Sequence, residues 1–149
     1  MKTNVKILLS RGMTMPAYAT EGAAAVDMRA AIDEGTTLTI APGERALVPT
    51  GISISPETRG VVAIVAARSG LAIKKGICLS NGIGVIDSDY RGEICVGLYN
   101  TSTEPFVVAR GDRIAQMMFM PVYAANLIES ASLDETARGA GGFGSTGVK

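Results

Sequence analysis

Short alternations of apolar and polar residues recur along the chain and predict strands. They run through Val5-Ile7-Leu9, Leu38-Ile40, Ile52-Ile54, Val61-Ala63-Val65, Ile94-Val96-Leu98 and Ile114 through Phe119, each bounded by Gly, Pro or Asn. Turn signals at Pro42-Gly43, Pro49-Thr50-Gly51 and Arg59-Gly60 return at the spacing of a sandwich, barrel or jelly roll. One short helix is predicted over Ser69 to Lys75, with Ser69 as its N-cap, Leu71-Ala72-Ile73 within it and Lys74-Lys75 ahead of Gly76. The stretch Leu79 to Glu93, LSNGIGVIDSDYRGE, reads as a β-hairpin arm with a polar tip. Ile83, Val85 and Ile86 favour a strand there, and Asn81-Gly82 and Asp87-Ser88-Asp89 favour turns. The expected fold class is all-β: a jelly-roll-like barrel or sandwich with one short helix.

With 149 residues, 47% apolar and 19% charged, the chain has material for one domain with a real core. Its composition changes after Leu133, so residues 1–133 are expected to form the β domain and 134–149 a flexible tail. Arg138 to Gly147 reads RGAGGFGSTG, with five glycines in ten residues, which cannot pack a core. By composition this is a disordered terminus. The same residues also suit a lid that closes on a ligand, with Phe143 as a stacking face and Arg138, Ser145 and Thr146 as phosphate contacts. No GK[ST] ends it, so it is not a Walker loop.

Fourteen basic and fourteen acidic residues cancel, leaving no electrostatic argument for nucleic acid or an anionic membrane as partner. The longest apolar run, Val61 to Ala67, is too short to span a bilayer, and MKTNVKILLSRG lacks the apolar region and cleavage site of a leader, so a cytoplasmic location is expected. Cys78 and Cys95 sit in strand-like surroundings without CxxC spacing and are expected to be buried free thiols. The absence of His removes Ser-His and Cys-His nucleophiles and His-based zinc sites.

Several residues carry candidate chemistry. Arg68-Ser69-Gly70 puts a guanidinium, a hydroxyl and backbone N–H groups at a helix start, which suits an anion or, equally, a plain cap with a solvated Arg. Asp27 stands alone in the small apolar stretch Ala24 to Ala30 and needs a partner, functional or a structural Arg. Arg110-Gly111-Asp112 reads as a turn into a strand, after which Gln116 points to solvent or bridges strands. In a cytoplasmic chain neither an integrin-type use of Arg-Gly-Asp nor glycosylation at Asn100-Thr101-Ser102 fits. Gly82 and Gly84 allow close backbone approach, Asp87 offers a base, and Tyr90 a flat face.

Five segments, AAVDMRA from Ala24, ARSGLA from Ala67, GVIDSDYRGE from Gly84, ARGDRIAQM from Ala109 and RGAGGFGSTG from Arg138, resemble in order the five motifs of the trimeric deoxyuridine triphosphate nucleotidohydrolases (dUTPases). Ala25, Ala67 and Ala140 depart from the Gly, Pro and Ser usual in that family. The resemblance implies a homotrimer with sites shared between subunits. It also implies Mg2+-dependent hydrolysis of dUTP to dUMP and pyrophosphate, which keeps uracil out of DNA and supplies dUMP for dTMP synthesis. In this scheme Asp87 activates the water that attacks the α-phosphorus, and Asp27 helps hold the hydrated Mg2+ on the triphosphate. Substrate contacts fall to Arg68, Ser69, Gly70, Asn81, Gly84, Val85, Ile86, Tyr90, Gln116, Arg138, Phe143, Gly144, Ser145 and Thr146. The arm's backbone would pair with the uracil edge, and Tyr90 against the sugar would leave no room for a ribose 2′-hydroxyl. Alternatives are a dCTP deaminase-like relative, disfavoured because Ser69 is followed by Gly70 rather than a second Ser, and a non-catalytic regulatory or structural protein on the same fold.

Overall fold

The strands follow the apolar alternation closely, and the computed structural model describes residues 2–142. In chain order they are β1 Val5–Leu9, β2 Val26–Arg29, β3 Thr37–Ile40, β4 Arg45–Pro49, β5 Ile52–Pro56, β6 Val61–Ala66, β7 Ile77–Leu79, β8 Gly84–Ile86, β9 Cys95–Asn100, β10 Phe106–Ala109 and β11 Arg113–Pro121, with the helix α1 Ser69–Lys75 between β6 and β7. All pairings are antiparallel. The sheets run β2-β11-β6-β8, β4-β9-β7, β1-β5 and β3-β10, and among the described residues none closes into a barrel. The architecture is a general jelly-roll type, all-β with a single short helix.

Period-two burial explains the core. Val61, Ala63 and Val65 of β6 point inward, as do Val96 and Leu98 of β9, joined by Met28, Ile40, Val48, Ile54, Ile114 and Met117. Asn100 is fully buried, and its side chain bonds the carbonyls of Ile40 and Glu104 at 2.9 and 2.8 Å and the Ser102 N–H at 2.9 Å. Asn100 is therefore an interior staple. Arg110-Gly111-Asp112 is likewise structural: Gly111 adopts φ 84°, Asp112 Oδ2 accepts from Ala109 N–H at 2.8 Å, and Arg110 donates to the carbonyls of Ile32 and Arg11.

Three expectations need correction. The segment from Leu79 is not a hairpin, because β7 pairs with β9 while β8 pairs with β6. A turn closed by Gly82 N–H on the Leu79 carbonyl carries the chain from one sheet to the other. Ser69 is not the N-cap of α1. Arg68 holds that position in an extended conformation, with no side-chain cap bond, and Gly76 ends the helix in the left-handed region at φ 66°. Cys95 is exposed and Cys78 half-buried, both as free thiols. Ile94, Val96 and Leu98 face the core, so alternation turns Cys95 outward.

Candidate active site

One face of the four-stranded sheet gathers three of the expected residues. Gln116 on β11 stands directly opposite Asp27 on β2 and, on its other side, Ala66 at the end of β6. Two residues beyond Ala66 comes Arg68. Its Nε lies 2.9 Å from Asp27 Oδ1, and its Nη1 donates to the Arg113 carbonyl at 3.1 Å. The Gln116 amide donates to the Ala67 carbonyl at 2.9 Å, tying β11 to the approach to Arg68. Asp27 thus has the arginine partners that a carboxylate among small apolar residues requires, and its side chain remains 27% exposed.

A second arginine completes the cluster. Arg113 Nη1 lies 3.2 Å from Asp27 Oδ2, so each carboxylate oxygen has a guanidinium. Residues three apart on a strand ordinarily face opposite sides, yet Arg113 and Gln116 both escape the core. The register slips between Arg113 and Ala115, and Ile114 and Ala115 are buried in succession. This bulge re-aims the strand so that both polar side chains reach the Asp27 face. Sequence reading assigned Arg113 no role, since the bulge that brings it in is invisible to simple alternation. A cavity of about 290 Å³ opens beside the cluster, lined by Asp27, Arg29, Arg113, Tyr18 and the segment around Met13.

Ser69 and Gly70 open α1 and are exposed, with no backbone acceptor for their N–H groups among the described residues. They sit next to Arg68, so the phosphate contacts expected from the Arg-Ser-Gly triplet share one location.

The remaining expected residues line a different place. Asn81, Gly84, Val85 and Ile86 border a cavity of about 120 Å³ with Cys95 and Gly97. Val85, Ile86, Asp87 and Tyr90 border an adjoining one of about 190 Å³ with Glu93, Ile94 and Cys95. Together these reach the lower end of the ~300–1,000 Å³ usual for small-molecule sites. Gly84 packs closely, because a Cβ there would stand 3.0 Å from Val65 Cβ on the paired strand and press the two strands apart by a few tenths of an ångström. Asp87 opens a turn in which Tyr90 N–H bonds its carbonyl at 3.1 Å, and the Tyr90 hydroxyl donates to the Glu93 carbonyl at 3.2 Å. Partial burial and the Glu93 carboxylate raise the pKa of the Cys95 thiol, with Arg11 opposing them, so this pocket-lining thiol is a weak nucleophile.

Within one chain these two places do not meet. Gly84 pairs with Val65 and Ile86 with Ala63, so β8 runs back along β6 and Asp87 emerges near Val62, six residues from Arg68. At ~3.3 Å per residue that is roughly 20 Å. Arg138 lies in the tail beyond β11, where its Nε donates to the Gly141 carbonyl at 2.8 Å. Phe143, Gly144, Ser145 and Thr146 lie outside the described residues.

Known proteins resemble this chain in sequence and in fold. A family model described as dUTPase matches residues 11–147. A deoxyuridine 5'-triphosphate nucleotidohydrolase of Desulfitobacterium hafniense is 58% identical over 134 residues, covering 90% of this chain and 87% of that protein. A point mutant of the Staphylococcus bacteriophage 80alpha dUTPase, solved with dUpNHpp, superposes with a TM-score of 0.87 at 23% identity, covering 97% of this chain and 99% of that one. A mutant dUTPase of S. aureus phage phi11, whose structure describes coordination of a structural Mg(II) ion, reaches 0.78 at 20% identity, covering 89% and 99%. At those identities the two structures show a common fold.

Proposed function

The chain belongs to the dUTPase family, and from that premise we propose how its residues divide the work of hydrolysing dUTP to dUMP and pyrophosphate. Asp87 takes a proton from the water that attacks the α-phosphorus, and pyrophosphate leaves in line. Arg68, Gln116 and Arg138 share the charge of the phosphate chain, with Ser69, Gly70, Gly144, Ser145 and Thr146 supplying further contacts. Asn81 and the Gly84–Ile86 backbone offer fixed donors and acceptors to the uracil edge. A cytosine there would leave buried polar groups unpaired at about 1–3 kcal/mol each. Tyr90 lies flat against the deoxyribose, and Phe143 closes over the base from the tail.

Among the described residues no cluster of three or more His, Cys, Asp or Glu forms a metal cage. A single, partly exposed carboxylate such as Asp27 suits Mg2+, which keeps its waters and rests on substrate phosphates. When bound, Mg2+ would supply positive charge that neutralises part of the charge on the phosphates. Asp27 would hold it through water.

The observation that carries this proposal is the convergence of Asp27, Arg68 and Gln116 on one sheet face, with Asp87 and Tyr90 gathered far along β6. A base acts within one water of its target, about two hydrogen bonds. The separation of Arg68 from Asp87 therefore favours sites built between chains in a homotrimer, one chain's phosphate cluster facing another's nucleoside pocket and a third supplying the tail. Tyr123, Leu127, Ile128 and Leu133, which follow β11 and are 80–98% exposed, are apolar surface that such an assembly would cover. No described helix is long and apolar enough to cross a membrane, and we place the activity in the cytoplasm.

The test is incubation with Mg2+ and each of dUTP, dCTP, dTTP and UTP in water labelled with heavy oxygen. Pyrophosphate is expected from dUTP, with the label in dUMP. Label in pyrophosphate would move the attack off the α-phosphorus, and ammonia from dCTP would identify a deaminase instead.

A further inference from the structure

Outside the five motif segments, Arg11 is the one non-glycine residue among those described with a left-handed backbone, at φ 53°. Such a conformation is costly for a residue with a side chain and persists where the surroundings hold it. Here they hold it at both ends. Arg110 donates to the Arg11 carbonyl, and Arg11 Nε donates to both carboxylate oxygens of Glu93, at 3.1 and 3.3 Å. Glu93 Oε1 also accepts from the Gly51 N–H at 2.7 Å.

These contacts matter because of what else ties down the loop from Asp87 to Glu93. Its other hydrogen bonds are local: Tyr90 N–H to Asp87, Arg91 to Ser88 and Tyr90, and the Tyr90 hydroxyl to Glu93. Among the described residues the Glu93 carboxylate makes the only polar contacts from this loop to distant parts of the chain. The Tyr90 ring folds back over Gly92, where any Cβ would overlap its hydroxyl, and its hydroxyl rests on the Glu93 carbonyl. Whatever fixes Glu93 therefore fixes the ring.

We propose that Arg11 and Glu93 are positioning residues that brace the Tyr90 ring at the nucleoside pocket and so set the discrimination between deoxyribose and ribose. This rests on Tyr90 being the sugar platform. The Arg11 and Glu93 side chains are 44% and 26% exposed, so water weakens the pair's contribution to global stability and its effect is local.

The experiment compares kcat/KM for UTP and dUTP in the wild type, Tyr90→Ala, Arg11→Gly, Glu93→Gln and the double variant Arg11→Gly/Tyr90→Ala, with thermal midpoints for each. Arg11→Gly removes the guanidinium while suiting the left-handed backbone. Arg11→Gly and Glu93→Gln should raise the UTP to dUTP ratio by about tenfold in the direction of Tyr90→Ala, with Tm preserved. The double variant should be no less selective than Tyr90→Ala alone, because both act through one ring. If Arg11→Gly does not fold, Glu93→Gln carries the same comparison. A ratio that moves in Tyr90→Ala but in neither brace variant overturns the brace and leaves the platform standing, and additive effects in the double variant also overturn it. No discrimination in the wild type, or an unchanged ratio in Tyr90→Ala, overturns the platform and the brace together.

Discussion

Arg68 and Asp27 form an ion pair at 2.9 Å, so the guanidinium proposed to meet the phosphates is docked in the free chain on the carboxylate proposed to serve the metal. Substrate binding then exchanges one anionic partner for another instead of recruiting a solvated arginine. Both side chains are about a quarter exposed, and a pair so placed contributes ~1 kcal/mol or less to stability.

Asp27→Asn should therefore cost little fold stability while weakening the use of Mg2+. The midpoint of thermal unfolding is expected to stay within a few degrees, and the Mg2+ concentration for half-maximal rate to rise about tenfold. Calorimetry and a rate titration with Mg2+ measure both, and an unchanged Mg2+ requirement would leave Asp27 as a partner for arginine alone.

Asp87→Asn should lower kcat by at least about a hundredfold and leave the Kd for dUTP within a few-fold of wild type, the pattern of a lost general base. Single-turnover kinetics and equilibrium binding separate the two quantities. Near-normal kcat would move the base elsewhere.

Asn100→Ala should act on stability alone. It leaves the Ile40 and Glu104 carbonyls without their side-chain donor and Ser102 N–H without its acceptor, for an expected loss of about 2–4 kcal/mol. Denaturant unfolding reads this directly, and kcat/KM measured well below the midpoint should be unchanged.

Mixing Asp87→Asn with Phe143→Ala, unfolding them together and refolding tests shared sites. If arm and tail come from different chains, random assembly restores both elements in roughly a quarter of all sites, and activity reappears. A mixture no more active than its parents, with mixed trimers confirmed by mass, would place arm and tail on one chain.

How much of this was legible in the sequence depended on whether the signal was local. β1 and β6 match their alternation, since in each one face is more buried than the other, half-buried against exposed in β1 and buried against half-buried in β6. β2, β4 and β10 escaped because their runs are short and carry Asp27, Arg29 and Arg45, or follow turns that mask them. The hairpin reading of Leu79 to Ile86 failed for a different reason. Its local residues suit a hairpin, but the partners of β7 and β8 are β9 and β6, a choice set by long-range packing. Ser69 has the side chain of a cap, yet the extended backbone that defines the cap belongs to Arg68. Asp87 and Tyr90 stood out locally as a candidate base and a candidate flat face, whereas Arg113, Glu93 and Arg11 acquire meaning only from neighbours tens of residues away.

The slip in register between Arg113 and Ala115 has a consequence for how this chain tolerates insertion and deletion. Substituting an apolar residue in that stretch alters volume, which neighbouring side chains absorb in part. Deleting Ile114 or Ala115 instead removes the extra residue and leaves Arg113 and Gln116 two positions apart, on one face by plain alternation and still opposite Arg29 and Asp27. This stretch can therefore shorten by one buried residue with the polar face preserved, whereas straightening the bulge at full length would turn either Arg113 or Gln116 toward the core.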